Sequence, residues 1–185
     1  MTAVMDQKHL QIRVSQGDKE ALGVLLESQY RPLFNYLLRL AGGNRAVAED
    51  LVQETMAKAI AGARGYDPET PFAFWIFRVA RNAFYDHLRR NALRNPPGRQ
   101  APEPVSQDDP VAGAARSELA GTLSNALDAL PEEQREVVAL KFYAGLTFRE
   151  IAELQGCPIG TCLARMRYAL EALRKLAPEF NLKVE

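Results

Sequence analysis

The chain has 185 residues, of which 47% are hydrophobic and 25% charged, a composition typical of globular proteins and unlike that of disordered ones. Its 23 basic and 23 acidic side chains cancel, which argues against a protein that coats nucleic acid indiscriminately through bulk positive charge. No apolar run reaches the roughly 18 residues that span a bilayer, and the N-terminal residues lack a signal-peptide core. We therefore expect a cytoplasmic protein without membrane insertion.

The cysteines and histidines predict no metal site. Cys157 and Cys162 are the only cysteines and have no histidine nearby in the sequence, whereas a zinc site or a disulfide framework needs more ligands. We also find no nucleotide-binding loop and no nucleophile with a matching base. The sequence therefore predicts no metal, no cofactor, no small-molecule substrate and no enzymatic activity.

Residues 6–40 show two helical patterns with a broad apolar face. Gly17 and Asp18 predict the start of the second helix, and Tyr30-Arg31-Pro32 predicts a kink or a boundary. After a turn at residues 41–44, a third helix is predicted from Ala46. Its exposed face carries Asp50, Gln53 and Glu54, and from the pattern alone a solvated helix face is the simpler interpretation.

A loop at residues 62–70 leads into a helix predicted over residues 71–90, in which aromatic and basic side chains interleave. One side should be buried: Phe72, Ile76, Val79, Ala80 and Ala83. The other should be exposed, and we call it the aromatic–basic stripe: Trp75, Arg78, Arg81, Asn82, Tyr85, Arg89 and Arg90. Arginine neutralises phosphate and aromatic rings stack on unpaired bases, so the stripe suits nucleic acid. An ordinary helix with core aromatics is an equally good alternative.

Residues 96–117 differ in composition from the rest of the chain. They contain five of the eleven prolines among acidic and polar side chains, a pattern typical of an extended, mobile linker. The sequence therefore predicts an all-α protein with two small helical domains, residues 1–95 and residues 118–185, joined by a flexible acidic linker.

The second domain shows the pattern of a helix-turn-helix. Thr147 and Glu150 predict a capping box for a short helix, and Gly156 ends that helix before a turn at residues 157–160. The next helix has a predicted buried seam of Cys162, Met166, Ala169, Leu173 and Leu176. Its candidate DNA contacts are Thr161, Ala164, Arg167 and Tyr168, with Arg165 on the flank. A helical hairpin without a DNA role is the alternative.

Five segments, in this order, resemble the extracytoplasmic-function (group 4) sigma factors of the sigma-70 superfamily. They are AEDLVQET (48–55), FWIFRVARNAFYDHLRR (74–90), LPEEQREVVALKF (130–142), GLTFREIAE (145–153) and PIGT (158–161). The resemblance covers roughly residues 18–95 and 118–176. It implies a non-catalytic sigma factor that binds core RNA polymerase, reads the minus-ten and minus-thirty-five elements of promoter DNA and aids promoter melting. It also implies control by an anti-sigma factor.

The resemblance assigns roles to the residues singled out above. Asp50, Gln53 and Glu54, which we call the docking face, match the surface that contacts the polymerase clamp helices. The loop at residues 62–72 matches the one that captures a flipped promoter base, and the aromatic–basic stripe matches the surface that holds the melted minus-ten element. Thr161, Ala164, Arg165, Arg167 and Tyr168 match the reader of the minus-thirty-five element.

The chain departs from the family in its second DNA-binding helix. Leu163, Ala164, Tyr168 and Leu170 stand where many relatives carry basic residues or a serine. Either upstream reading then relies on thymine methyl groups and on DNA shape, or it is weak. Two other functions stay open from the sequence. One is a stand-alone regulator that binds duplex DNA without core polymerase, and the other is a protein that docks on core polymerase but has lost upstream reading.

Overall fold

The computed structural model describes residues 2–94 and 114–176, with side chains placed for residues 7–94 and 121–176. No strand occurs within these two ranges, which form helices α1 Thr2–Ser15, α2 Lys19–Leu40, α3 Arg45–Gly62, α4 Phe72–Arg94, α5 Ala114–Asp128, α6 Glu132–Phe142, α7 Phe148–Gln155 and α8 Ile159–Leu176. The predicted all-α fold with two domains is confirmed, α1–α4 forming the first domain and α5–α8 the second. The predicted linker lies mostly outside the described residues.

Local sequence signals set the helix ends. The Asp18 carboxylate begins α2 by accepting hydrogen bonds from the backbone N–H groups of Glu20 and Ala21, at 2.9 and 3.1 Å. At α7, the Thr147 hydroxyl accepts from the Glu150 N–H, and the Glu150 carboxylate accepts from the Thr147 N–H at 2.7 Å. The predicted capping box is therefore confirmed. Caps of this kind contribute about 1 kcal/mol each.

Helix α2 passes through Pro32 without ending, so the boundary that the sequence allowed there does not occur. Proline lacks the N–H that would bond to the carbonyl of Ser28, which weakens an isolated helix at this point. Here Leu33, Tyr36 and Leu37, directly after the proline, are fully buried and hold α2 against its neighbours. The packing of these side chains therefore outweighs the tendency of Pro32 to break the helix.

The core of the first domain forms where α2 packs on α1, α3 and α4. Its largest buried side chains include Tyr36 and Phe77, whose rings meet edge to face with centroids 5.2 Å apart. Burial of each such side chain contributes about 1.5–3 kcal/mol. This core fixes the orientation of α4, the helix that carries the aromatic–basic stripe.

The second domain contains the predicted helix-turn-helix. Gly156 ends α7 with φ +64°, a left-handed conformation that glycine adopts without strain. Of the predicted seam of α8, Cys162, Met166, Ala169 and Leu173 are buried, whereas Leu176 is exposed because α8 ends there. The two domains also touch, since α6 of the second packs on α2 of the first.

Candidate nucleic-acid interface

The docking face lies on the solvent side of α3. Asp50 and Gln53 are exposed, whereas the Glu54 side chain is only 28% exposed. The opposite side of α3 supplies Leu51, Val52 and Thr55 to the core. The placement agrees with the predicted pattern, and it makes Asp50 and Gln53 the two members most available to a partner.

Glu54 belongs to a charge network that links α3 to α4. Its carboxylate lies 2.8 Å from Lys58 Nζ and 2.7 Å from Arg90 Nη2, and Lys58 also contacts Asp86 at 3.2 Å. Burial alone would raise the pKa of Glu54, but hydrogen bonds from Lys58 and Arg90 outweigh it and hold this pKa below its usual value. The network therefore joins the docking face to the last residue of the aromatic–basic stripe.

The lowered pKa of Glu54 predicts an acid-sensitive contribution to stability. A carboxylate with a lowered folded-state pKa stabilises the fold above its ordinary value of 4.5, and the contribution is lost as the pH falls through the folded-state pKa. We expect Glu54→Gln to lower the denaturation midpoint near neutrality and to have a smaller effect in acid. Urea titrations of both proteins at the two pH values measure this, and an equal difference at both would contradict the pairing.

Trp75 is not on an exposed stripe, so its predicted exposure is wrong. It is 8% exposed, and its ring lies 5.0 Å from the Tyr66 ring and 5.4 Å from the Phe72 ring, centroid to centroid. The Tyr66 hydroxyl donates to the Thr70 carbonyl at 2.6 Å, which closes the loop over this aromatic cluster. Burial, with Asp67 nearby, raises the pKa of Tyr66 above its usual range. Trp75 thus supports the loop that precedes α4.

Four members of the aromatic–basic stripe are exposed, as predicted: Arg78, Asn82, Arg89 and Arg90. The guanidinium of Arg78 lies over the Phe74 ring, 5.5 Å from its centroid. Arg89 donates to the Asp86 carboxylate at 2.6 Å. Both guanidinium groups are exposed, and neither a surface ion pair nor an exposed cation–π contact contributes more than about 1 kcal/mol, so these arginines can exchange their contacts for phosphate groups at little cost.

Arg81 and Tyr85 are covered by the second domain, contrary to the predicted exposure. Arg81 Nε donates to Glu136 Oε1 at 2.9 Å, and its guanidinium lies 4.6 Å from the centroid of the Tyr85 ring. Burial, the Glu136 carboxylate and a hydrogen bond to Glu132 raise the pKa of Tyr85 above its usual range. Both acids belong to α6, so the stripe is divided into an open part and a part closed by the other domain.

The candidate upstream reader occupies the first three turns of α8. Thr161, Arg167 and Tyr168 are exposed, and Ala164 and Arg165 are partly buried. Arg165 Nη1 donates to Gln155 Oε1 at 2.9 Å. A guanidinium has five N–H donors in a planar fork, so one bond to Gln155 orients Arg165 and leaves donors for DNA.

The positions at which α8 departs from the family pattern differ in their exposure. Leu163 and Tyr168 are exposed, so a missing charge there affects the surface. Leu170 is 4% exposed and lies in the core, where a basic side chain could not contact DNA without displacing it. The deficit of positive charge therefore concerns the exposed positions of α8, Leu163 and Tyr168 above all.

Sequence patterns did not single out Glu136, although it contacts three functional elements. It is 1% exposed and accepts hydrogen bonds from Tyr36, Arg81 and Gln155. Tyr36 and Arg81 lie 100 and 55 residues away along the chain, which helical periodicity cannot detect. The one available signal is an acidic residue directly before the apolar run Val137–Leu140, where a buried position is expected.

The described residues contain no group of three or more His, Cys, Asp or Glu side chains arranged to bind a metal ion. None of the described helices combines the length and apolar character that a membrane-spanning segment requires.

Comparisons with known proteins agree with the geometry. The family models for sigma-70 region 2 and sigma-70 region 4 match residues 25–94 and 120–176. RNA polymerase sigma-H factor of Pseudomonas aeruginosa is 26% identical over 95% of this chain and 95% of its own length. The ECF RNA polymerase sigma factor RpoE of Cereibacter sphaeroides is 34% identical over 84% of this chain and 86% of its own length.

A solved structure shows the same fold. The sigma factor RpoE of Bartonella quintana, in complex with the anti-sigma factor NepR, superposes with a TM-score of 0.69 at 24% identity, over 89% of this chain and 98% of that one. The two matched family regions lie within the two domains described above, one in each. The chain therefore belongs to the sigma-70 family and is an extracytoplasmic-function RNA polymerase sigma factor, a protein that directs promoter-specific transcription initiation.

Proposed function

We propose that separate surfaces of the two domains carry out separate binding steps of transcription initiation. The docking face on α3 binds core RNA polymerase, the aromatic–basic stripe of α4 holds the melted minus-ten strand, and the first three turns of α8 contact the minus-thirty-five element. The observation that carries the proposal is that each domain exposes a separate set of these side chains. The first domain exposes Asp50 and Gln53 on α3 and Arg78, Asn82, Arg89 and Arg90 on α4, and the second exposes Thr161, Arg167 and Tyr168 on α8. The α3 and α4 segments resemble the family motifs, whereas α8 keeps the PIGT motif at its start and departs from the family pattern after it.

Three further features belong to the same proposal. The chain acts in the cytoplasm, where it supplies promoter recognition while the polymerase supplies all chemistry. An anti-sigma factor holds it inactive, as the structure of the Bartonella relative with NepR suggests.

A second candidate function, a protein that docks on core polymerase without upstream reading, is favoured by the exposed apolar Leu163 on α8.

Reconstituted run-off transcription tests the proposal. Purified chain and core polymerase are incubated with a pool of host genomic fragments, with core polymerase alone as control. We expect discrete transcripts that require the chain. Stable co-elution with core polymerase but no transcripts would instead support the docking protein.

The docking face gives a sharper test. We expect Asp50→Ala combined with Gln53→Ala to weaken binding to core polymerase about tenfold, equivalent to about 1.4 kcal/mol. Both side chains are exposed, so the fold should be unaffected. Arg45→Ala, also exposed on α3 but outside the docking face, is the matched control. Equal titration curves for the double variant and the control would remove this face from the interface.

A further inference from the structure

The contact between the domains is centred on one buried carboxylate. Glu136 Oε1 accepts hydrogen bonds from Arg81 Nε at 2.9 Å and from the Tyr36 hydroxyl at 3.1 Å, both in the first domain. Glu136 Oε2 accepts from Gln155 Nε2 at 2.9 Å, within the second domain. A carboxylate this buried needs such partners, so its position depends on the two domains being closed.

The partner of Glu136 on α4 is a side chain that we assign to minus-ten binding under the proposed function. Arg81 belongs to the aromatic–basic stripe, and its side chain is only 23% exposed in this closed arrangement. A carboxylate and a phosphate present the same chemistry to a guanidinium, namely an anion with oxygens spaced for paired N–H donors. Glu136 therefore supplies Arg81 with the kind of anionic partner that a DNA phosphate could also supply.

We propose that Glu136 acts as an internal substitute for DNA. In the free chain it holds the two domains closed, so that Arg81 and Tyr85 of the stripe are covered. This autoinhibitory contact rests on the proposed role of the stripe in minus-ten binding. It is released when the domains separate, which exposes Arg81 and Tyr85 together. Glu136 then keeps its bond to Gln155, whose side chain also holds Arg165 at 2.9 Å.

The rest of the interdomain contact is suited to opening. Arg39 Nη1 donates to Ser124 Oγ at 2.7 Å but lies 3.7 Å from Asp128 Oδ1, beyond hydrogen-bond distance. Among the described residues, Asp128 Oδ1 and Arg135 Nε are buried without a hydrogen-bond partner. Permanent interfaces rarely leave buried polar atoms unsatisfied, and interfaces between mobile domains are typically polar. The interdomain contact is therefore specific, but some of its buried polar atoms lack a hydrogen-bond partner.

The test uses the full free chain and a fluorescent single-stranded oligonucleotide carrying the minus-ten element obtained from run-off transcription. Glu136→Gln removes the charge and keeps the shape of the side chain. We expect it to bind the oligonucleotide roughly tenfold more tightly than the wild type, as measured by anisotropy, the scale of one lost charged hydrogen bond. Its radius of gyration in X-ray scattering should also increase.

Two further variants make the result interpretable. Glu153→Gln makes the same charge change at an exposed position of α7 and should match the wild type in both measurements. Tyr36→Phe removes a single hydrogen bond to Glu136 and should give a smaller gain in affinity, which provides a second test if Glu136→Gln folds poorly. Unchanged affinity and unchanged radius in both contact variants would overturn the autoinhibitory contact.

The wild-type chain bound to core polymerase separates this proposal from the one on which it rests. If that complex binds the oligonucleotide while free Glu136→Gln gains nothing, the autoinhibitory contact alone is wrong. If the complex does not bind the oligonucleotide either, the assignment of the stripe to the minus-ten strand fails, and the autoinhibitory contact fails with it.

Discussion

Replacing Trp75 with alanine should destabilise the first domain by about 3–5 kcal/mol, the range for truncation of a buried large aromatic side chain. The ring packs against Tyr66 and Phe72 beneath the loop that leads into α4, so its loss removes the support of that loop. We therefore expect promoter opening to fail in the variant. Chemical denaturation measures the first effect, and permanganate reactivity of unpaired thymines measures the second.

Trp75→Phe is the matched control because it keeps an aromatic ring in the cluster. We expect it to lose less stability and to retain most of the opening. The docking face lies on α3, outside this cluster, so folded Trp75→Ala should still bind core polymerase. A variant that opens the promoter as the wild type does, despite its lower stability, would show that the loop needs no support from this ring.

The helix ends and the helix-turn-helix could be predicted because short-range chemistry determines them. The capping box joins Thr147 to Glu150, three residues away, and the buried seam of α8 repeats at helical spacing. Signals of this kind are complete within one or two turns of helix. The all-α fold follows from several of them in sequence, together with the absence of any strand pattern.

Which side chains of α4 are exposed could not be predicted from periodicity, because three different surfaces cover the helix. The core buries Ile76, the preceding loop buries Trp75, and α6 of the second domain covers Arg81. A two-sided pattern of buried and exposed positions assumes a single contact surface. Arg78, Asn82, Arg89 and Arg90 are exposed as the simple pattern predicted, because none of the three surfaces covers them.

The low positive charge of α8 places recognition of the minus-thirty-five element in question. We expect Arg165→Ala to abolish the dependence of transcription on the minus-thirty-five sequence. The hydrogen bond from Arg165 to Gln155 of α7 restrains its guanidinium. A well-placed arginine contact to a base contributes about 1–3 kcal/mol, or roughly 5- to 150-fold in affinity. Scrambling the upstream element should therefore reduce wild-type transcription strongly and leave the variant unaffected.

Two control variants separate base reading from charge. Arg167→Ala removes an exposed guanidinium beside Tyr168, so we expect a uniform loss across upstream sequences and a salt dependence lowered by about one phosphate contact. Lys175→Ala removes a charge beyond Glu171, which repels phosphate, and should change nothing. If scrambling the element affects neither the wild type nor Arg165→Ala, α8 does not read DNA, and the chain docks on core polymerase with minus-ten recognition alone.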